Sequence, residues 1–174
     1  MRPGEKGFTL IELVIGIGIM TLAVAAAGGG IYQTITNTGR NSNHMAAVLQ
    51  VQNAGNKIGQ DVQMAQNITT VEELSDPEFL FLSWIDAISG DRYEITYSFQ
   101  DMDTGSMKKL MRMQSINDTD NQTSLVASDI DYTGEMTTCN YTDGIFSLKI
   151  TSAIGNGPAA SRESRIYRIF PRPG

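Results

Sequence analysis

The 174-residue sequence predicts an α+β protein in which one long N-terminal helix, half membrane-spanning and half amphipathic, packs on a mainly antiparallel β-sheet. Three observations predict it. Residues 8–31 read FTLIELVIGIGIMTLAVAAAGGGI, with Glu12 the single charged residue. Apolar and small residues then recur every third or fourth position through Val48, Val51, Gly55, Ile58, Val62 and Ala65, the period of a helix with one covered face. From residue 75 onward the pattern changes to short apolar or alternating stretches punctuated by turn residues, which is the grammar of strands.

The first stretch carries the strongest chemical signal. Twenty-four residues at about 1.5 Å each span roughly 36 Å, enough to cross a hydrocarbon core of about 30 Å. A carboxylate inside such a segment costs about 2.5–3.5 kcal/mol on insertion scales, so Glu12 is expected to have a function and a partner. The nearby cations, Arg2 and Lys6, lie upstream, and after Glu12 no charge appears until Arg40. A backbone amine can serve instead. Cleavage between Gly7 and Phe8 would place a new α-amino group in the same apolar layer, and the amine of one molecule could neutralise Glu12 of another. Arg2 and Lys6 before the segment place the N-terminus in the cytoplasm and the remainder outside it. The rival reading is a conventional export signal cut near Ala23-Val24-Ala25 or Ala25-Ala26-Ala27, leaving a secreted soluble binding domain. Glu12 within the apolar run argues against it.

The run Lys6-Gly7-Phe8-Thr9-Leu10-Ile11-Glu12 resembles the prepilin leader-peptidase signature of type IV pilins and of the pseudopilins of type II secretion. The resemblance implies a pilin-like fold, removal of a leader at residues 1–7 after Gly7, methylation of Phe8 at the new N-terminus, and Glu12 as the assembly carboxylate. It also implies the partners: a prepilin peptidase, other pilins or pseudopilins met through the N-terminal helix, membrane lipid, and an inner-membrane assembly platform driven by a separate ATPase. On this reading residues 8–36 form the transmembrane and assembly helix, 37–68 its amphipathic half, and 69–174 a β-sheet domain in the periplasm or outside the cell.

Along the chain, Gly28, Gly29 and Gly30 read as a soft point, since each helical glycine costs about 0.8–1.0 kcal/mol relative to alanine. A helix end near the membrane surface is the other reading. In related filaments the corresponding region can lose helical order when subunits pack. After a polar stretch at 37–43 the amphipathic helix follows, with Gly55 and Gly59 allowing close backbone approach and Gln50, Gln52, Asn53, Lys57, Gln60 and Asp61 placed largely off its apolar face. Strands are expected at 79–85, 93–99, 108–114, 124–132, 144–152 and 165–170, with a turn at Ser89-Gly90-Asp91, a hairpin connection at 101–106 and a polar loop at 117–123. The order of segments from Ile95 through Leu110, Leu125 and Ile145 is similar to the J-type minor pseudopilins and W-type minor pilins.

Other residues carry less. The formal charge is −6, and loss of Arg2, Glu5 and Lys6 with residues 1–7 would make it −7, which disfavours direct nucleic-acid binding. Cys139 is the single cysteine and His44 the single histidine, so no two-cysteine redox or metal motif exists, and His44 reads as a solvent-facing helix residue. Asp101 with Asp103, and Asp118 with Asp120, read as solvated turn carboxylates rather than a calcium loop. Met107, Met111 and Met113 read as core filler. Arg162, Arg165, Arg168 and Arg172 read as outward charges on an edge strand, with docking to an acidic partner subunit as the alternative. No phosphate-binding loop is present. The sequence therefore predicts no catalytic residue, no metal and no cofactor. The expectation is a structural subunit, with a minor pseudopilin of type II secretion placed ahead of a minor type IV pilin for adhesion, motility or DNA uptake.

Overall fold

A computed structural model describes residues 9–71, 73–103, 105–155 and 160–172, with the side chain of Asp120 left undescribed. The element order is α1 (Leu10–Met64), β1 (Asn67–Thr70), β2 (Glu78–Ile85), β3 (Arg92–Asp101), β4 (Lys108–Ile116), β5 (Thr119–Ile130), β6 (Thr138–Thr142), β7 (Ile145–Ile154) and β8 (Ser161–Ile169). The chain divides into two units, Met1–Asn41 and Ser42–Gly174. The first, where described, is the N-terminal part of α1. The second is the C-terminal part of α1 with the whole sheet.

In the second unit the strands follow the order β1-β2-β3-β4-β5-β7-β6, with β8 paired to β7, and every pairing is antiparallel. The sheet curls. β5 meets β7 through the pair Ile130 and Ser152, β1 returns beside β6, and the Cys139 thiol donates to the Phe79 carbonyl across 3.4 Å. The α+β expectation thus holds: a long helix lies on a curled antiparallel sheet.

The helix face that covers the sheet is close to the one its periodicity marks. Val51, Ala54, Ile58 and Val62 are fully buried against Leu80, Leu82, Ile95, Leu110, Leu148 and Ile150. Gly55 has a specific reason. A Cβ there would sit 2.1 Å from Cζ of Tyr167, whose hydroxyl donates to the Val51 carbonyl across 3.2 Å, so the ring of β8 lies flat on bare helix backbone. Gly59 has a looser contact, 3.5 Å to Ile169.

Turn chemistry sets the hairpins. Asn117 and Asp118 both have positive φ, 51° and 59°, as do Asp143 and Gly144, at 52° and 76°. Two successive left-handed residues make the tight turn whose twist matches antiparallel strands. The polar run 117–123 is therefore not one loop: the turn takes two residues, and Thr119 onward pairs with β4. At the β2–β3 turn the Asp86 carboxylate accepts from the backbone N–H groups of Ile88 and Ser89 at 2.8 Å each, and these donors hold its pKa below the usual carboxylate value.

Two further expectations are corrected. Met107 and Met111 are half-buried and Met113 is 41% exposed, because the curled sheet fills its centre with ring contacts such as Phe79 against Phe99 and Phe99 against Tyr132. Asp61 does not lie on the solvent side of α1. It is 6% exposed and bound on several sides: Arg112 Nε at 2.6 Å and Nη2 at 3.3 Å, and the Tyr97 hydroxyl at 2.5 Å. Tyr97 and Arg112 are directly opposed on β3 and β4, so one helix carboxylate clamps two strands. Gln114 takes a third hydrogen bond from Arg112 and Lys57 approaches Asp61 at 3.7 Å, so the buried charges are matched.

This cluster makes the domain sensitive to alkali. Burial, reinforced by the Asp61 charge, pushes the Tyr97 phenol far above its ordinary value. A folded-state pKa raised above the unfolded value near 10 gives stability that is complete below about pH 10 and declines as the pH rises further. In a 295 nm titration of the six tyrosines, the Tyr97 phenolate is expected to appear only with unfolding. Tyr97→Phe should reduce the slope of stability against pH above 10 by about 1.4 kcal/mol per pH unit, one proton's worth. An unchanged slope would place the Tyr97 hydroxyl in contact with solvent.

Candidate assembly site at the N-terminal helix

The described part of the first unit begins at Thr9, and its first turn is a closed hydrogen-bonded motif. The Glu12 carboxylate accepts from the Thr9 backbone N–H at 3.1 Å and from the Thr9 hydroxyl at 3.0 Å, while the Glu12 N–H donates to the Thr9 hydroxyl oxygen at 3.4 Å. This is a capping box: Thr9 is the N-cap and Glu12 the third helical residue, each satisfying a backbone donor the helix leaves free. Thr9-Leu10-Ile11-Glu12 is the Thr-x-x-Glu signature that marks such a box in a sequence, ahead of an apolar run. Placed in the first turn, the carboxylate also lies at the positive end of the helix dipole.

Behind this turn the helix is apolar on every side. Its best 18-residue window has a mean hydropathy of 2.3 and none of it is buried within the chain. Leu10, Ile11, Leu13, Val14, Ile15, Ile17, Ile19 and Met20 are all more than half exposed although together they are spread around the whole axis. A helix with that composition on all faces is stable only inside a membrane or among other apolar helices. Three threonine hydroxyls within and just beyond it bond to the helix's own backbone: Thr21 donates to the Gly18 carbonyl at 2.8 Å, Thr34 to Gly30 at 2.9 Å and Thr36 to Tyr32 at 3.0 Å.

Gly28, Gly29 and Gly30 lie within α1, which runs through them as regular helix. A Cβ added at any of the three would meet nothing within 4 Å, so no contact in the subunit requires glycine there. Gly7 and Phe8, the expected cleavage pair, lie outside the described residues. The polar stretch at 37–43 is likewise helical throughout.

Elsewhere the described residues offer little for catalysis. No group of three or more His, Cys, Asp or Glu side chains among them converges on a point that could hold a metal ion. His44 is exposed on α1, with Nδ1 3.4 Å from the Ser161 hydroxyl. Asp101 is bound to Lys108 across the β3–β4 hairpin and raises the lysine's pKa.

No characterised protein and no solved structure matches the chain. Residues 2–28 match the family model of the prokaryotic N-terminal methylation motif, a motif of structural rather than catalytic proteins. With an unburied apolar helix behind the motif, the match supports a membrane-anchored protein of the type IV pilin-like kind, processed by a prepilin peptidase and assembled with other pilins.

Proposed function

We propose that the chain is a minor pseudopilin of a type II secretion system: a subunit cut after Gly7, methylated at Phe8, and built into a short filament through the helix that begins at Thr9. The observation that carries this reading is the pairing of a single carboxylate, Glu12, with an apolar helix that is unburied on all sides. The helix holds the subunit in the bilayer until neighbouring helices replace lipid around it. Glu12 then exchanges its local Thr9 partners for the N-terminal amine of an adjacent subunit, so that its burial becomes favourable only upon assembly. Gly28, Gly29 and Gly30 leave the helix free to yield at one place as the subunits pack. The sheet domain stands outside the cytoplasm, and the force for assembly comes from a separate motor. A minor type IV pilin uses the same N-terminal chemistry. The order of segments after Ile95, similar to J-type minor pseudopilins and W-type minor pilins alike, favours a minor subunit over a major one.

The intact mass and N-terminal sequence of protein taken from its native membrane test this reading. A chain starting at methylated Phe8 is expected, and Gly7→Ala should reduce that product to a small fraction of the wild-type amount. A start between residues 26 and 30 would mean a conventional export signal, and equal processing of Gly7→Ala would remove the leader-peptidase step.

A further inference from the structure

The free edge of the sheet at β8 lies outside the N-terminal helix to which the reading above assigns assembly. β8 pairs with β7 on one side, leaving its other side without a strand among the described residues. Its side chains alternate. Tyr167 and Ile169 turn toward α1, while Arg162, Ile166 and Arg168 turn outward, and the same alternation continues through Phe170 and Arg172. Ile166 and Phe170, 68% and 69% exposed, stand on the same outward row as Arg168 and Arg172. Lys149 of β7 lies directly opposite Ile166 and adds to the same row.

Arg162 reaches the buried Asp131 carboxylate at 2.9 Å and is structural, but Arg168 and Arg172 make no ion pair among the described residues. Arg165, expected to point outward, lies on the other side of the strand beside Glu163 at 3.2 Å. Arg168 also forms a wall of an open groove of about 290 Å³ whose other walls are Asn140, Thr142, Asp143, Ile145 and Ser147; with the Asp143 carboxylate among them, the groove itself does not select an anion, and the charge match rests on the Arg168 and Arg172 row.

We infer that the outward row of β8 is a docking edge for an extended acidic segment of another protein, one that alternates carboxylate and apolar side chains. The charge pattern selects the occupant. A second β8 laid along this edge would set arginine near arginine, and like charges in paired strands destabilise, so self-pairing is suppressed. A strand with carboxylates matches Arg168 and Arg172, covers Ile166 and Phe170 with its apolar residues, and satisfies the free backbone groups of the edge, which gives affinity independent of side chain. An anionic lipid surface would satisfy the arginines but not the alternating backbone donors and acceptors. The edge belongs wholly to the sheet domain and is independent of how the N-terminus is processed.

The test uses the full chain in zwitterionic lipid nanodiscs and a fluorescent peptide of about ten residues alternating glutamate with valine, long enough to follow β8. Anisotropy at low ionic strength should show binding of this peptide and none of its lysine-valine counterpart. Arg168→Glu, at an exposed position without an ion pair among the described residues, should weaken binding by about tenfold or more with an unchanged far-ultraviolet spectrum. Ile166→Ser should weaken it less. Absence of glutamate-peptide binding, equal binding of the two peptides, or indifference to Arg168→Glu would each overturn the inference. Binding to phosphatidylglycerol vesicles lost in Arg168→Glu, without peptide binding, would overturn it too by assigning the row to the membrane.

Discussion

Asp61→Leu is expected to lower the stability of the sheet domain by about 3–5 kcal/mol, the usual penalty for breaking a buried ion pair from one side. The loss comes from what remains. Arg112, 8% exposed as a residue, keeps its hydrogen bond to Gln114 but has no counter-charge, and the Tyr97 hydroxyl has no acceptor. Thermal unfolding should move down by roughly 10–20 °C, given a few degrees per kcal/mol for a domain of this size. Removing the cluster together, as Asp61→Leu with Arg112→Leu and Tyr97→Phe, should recover most of that loss, because apolar side chains of similar volume often match a buried ionic group in stability. If Asp61→Leu alone unfolds within a degree or two of wild type, the carboxylate is not the clamp the geometry describes.

Glu12→Leu is expected to separate membrane insertion from assembly. In the lone subunit, Glu12 contributes one half of a capping box, worth about 1 kcal/mol in typical helices, against an insertion cost of about 2.5–3.5 kcal/mol for a membrane charge. Replacing it with leucine should leave the protein in the membrane fraction at wild-type abundance or above. Incorporation into sheared filaments should nevertheless fall by an order of magnitude or more, since the carboxylate that meets the neighbouring amine is gone. Glu12→Asp should retain part of the incorporation. Normal filament yield from Glu12→Leu would show that the assembly contact lies elsewhere.

The difference between Asp61 and Glu12 explains how much of the molecule was legible in its sequence. Glu12 stands alone in an apolar run, so its anomaly is local and visible. Asp61 sits among polar neighbours on a helix, and its burial depends on Arg112, fifty-one residues away in the chain. No period-based reading pairs residues at that separation. Strands with strong alternation, such as β3 from Tyr93 to Phe99 and β7 from Ile145 to Ile150, were recognisable because their inner faces are apolar. β1 and β6 read NITT and TCNYT, short and polar, and are held by their neighbours rather than by their own pattern. The Asp143-Gly144 pair was a missed hairpin signal for β6, since two adjacent left-handed residues imply a strand on both sides.

Cys139 gives the domain an internal clock. It is the single cysteine of the chain and is 5% exposed, with its thiol held against the Phe79 carbonyl where β6 meets β2. A water-soluble thiol reagent can reach the sulfur only after β6 has separated from β2 or the whole domain has opened. When closing outpaces the chemistry, the labelling rate equals the free-thiol rate multiplied by the fraction of molecules in the open state. The opening of the curled sheet can therefore be timed in the intact, membrane-held protein with the thiol reagent alone and no residue replaced.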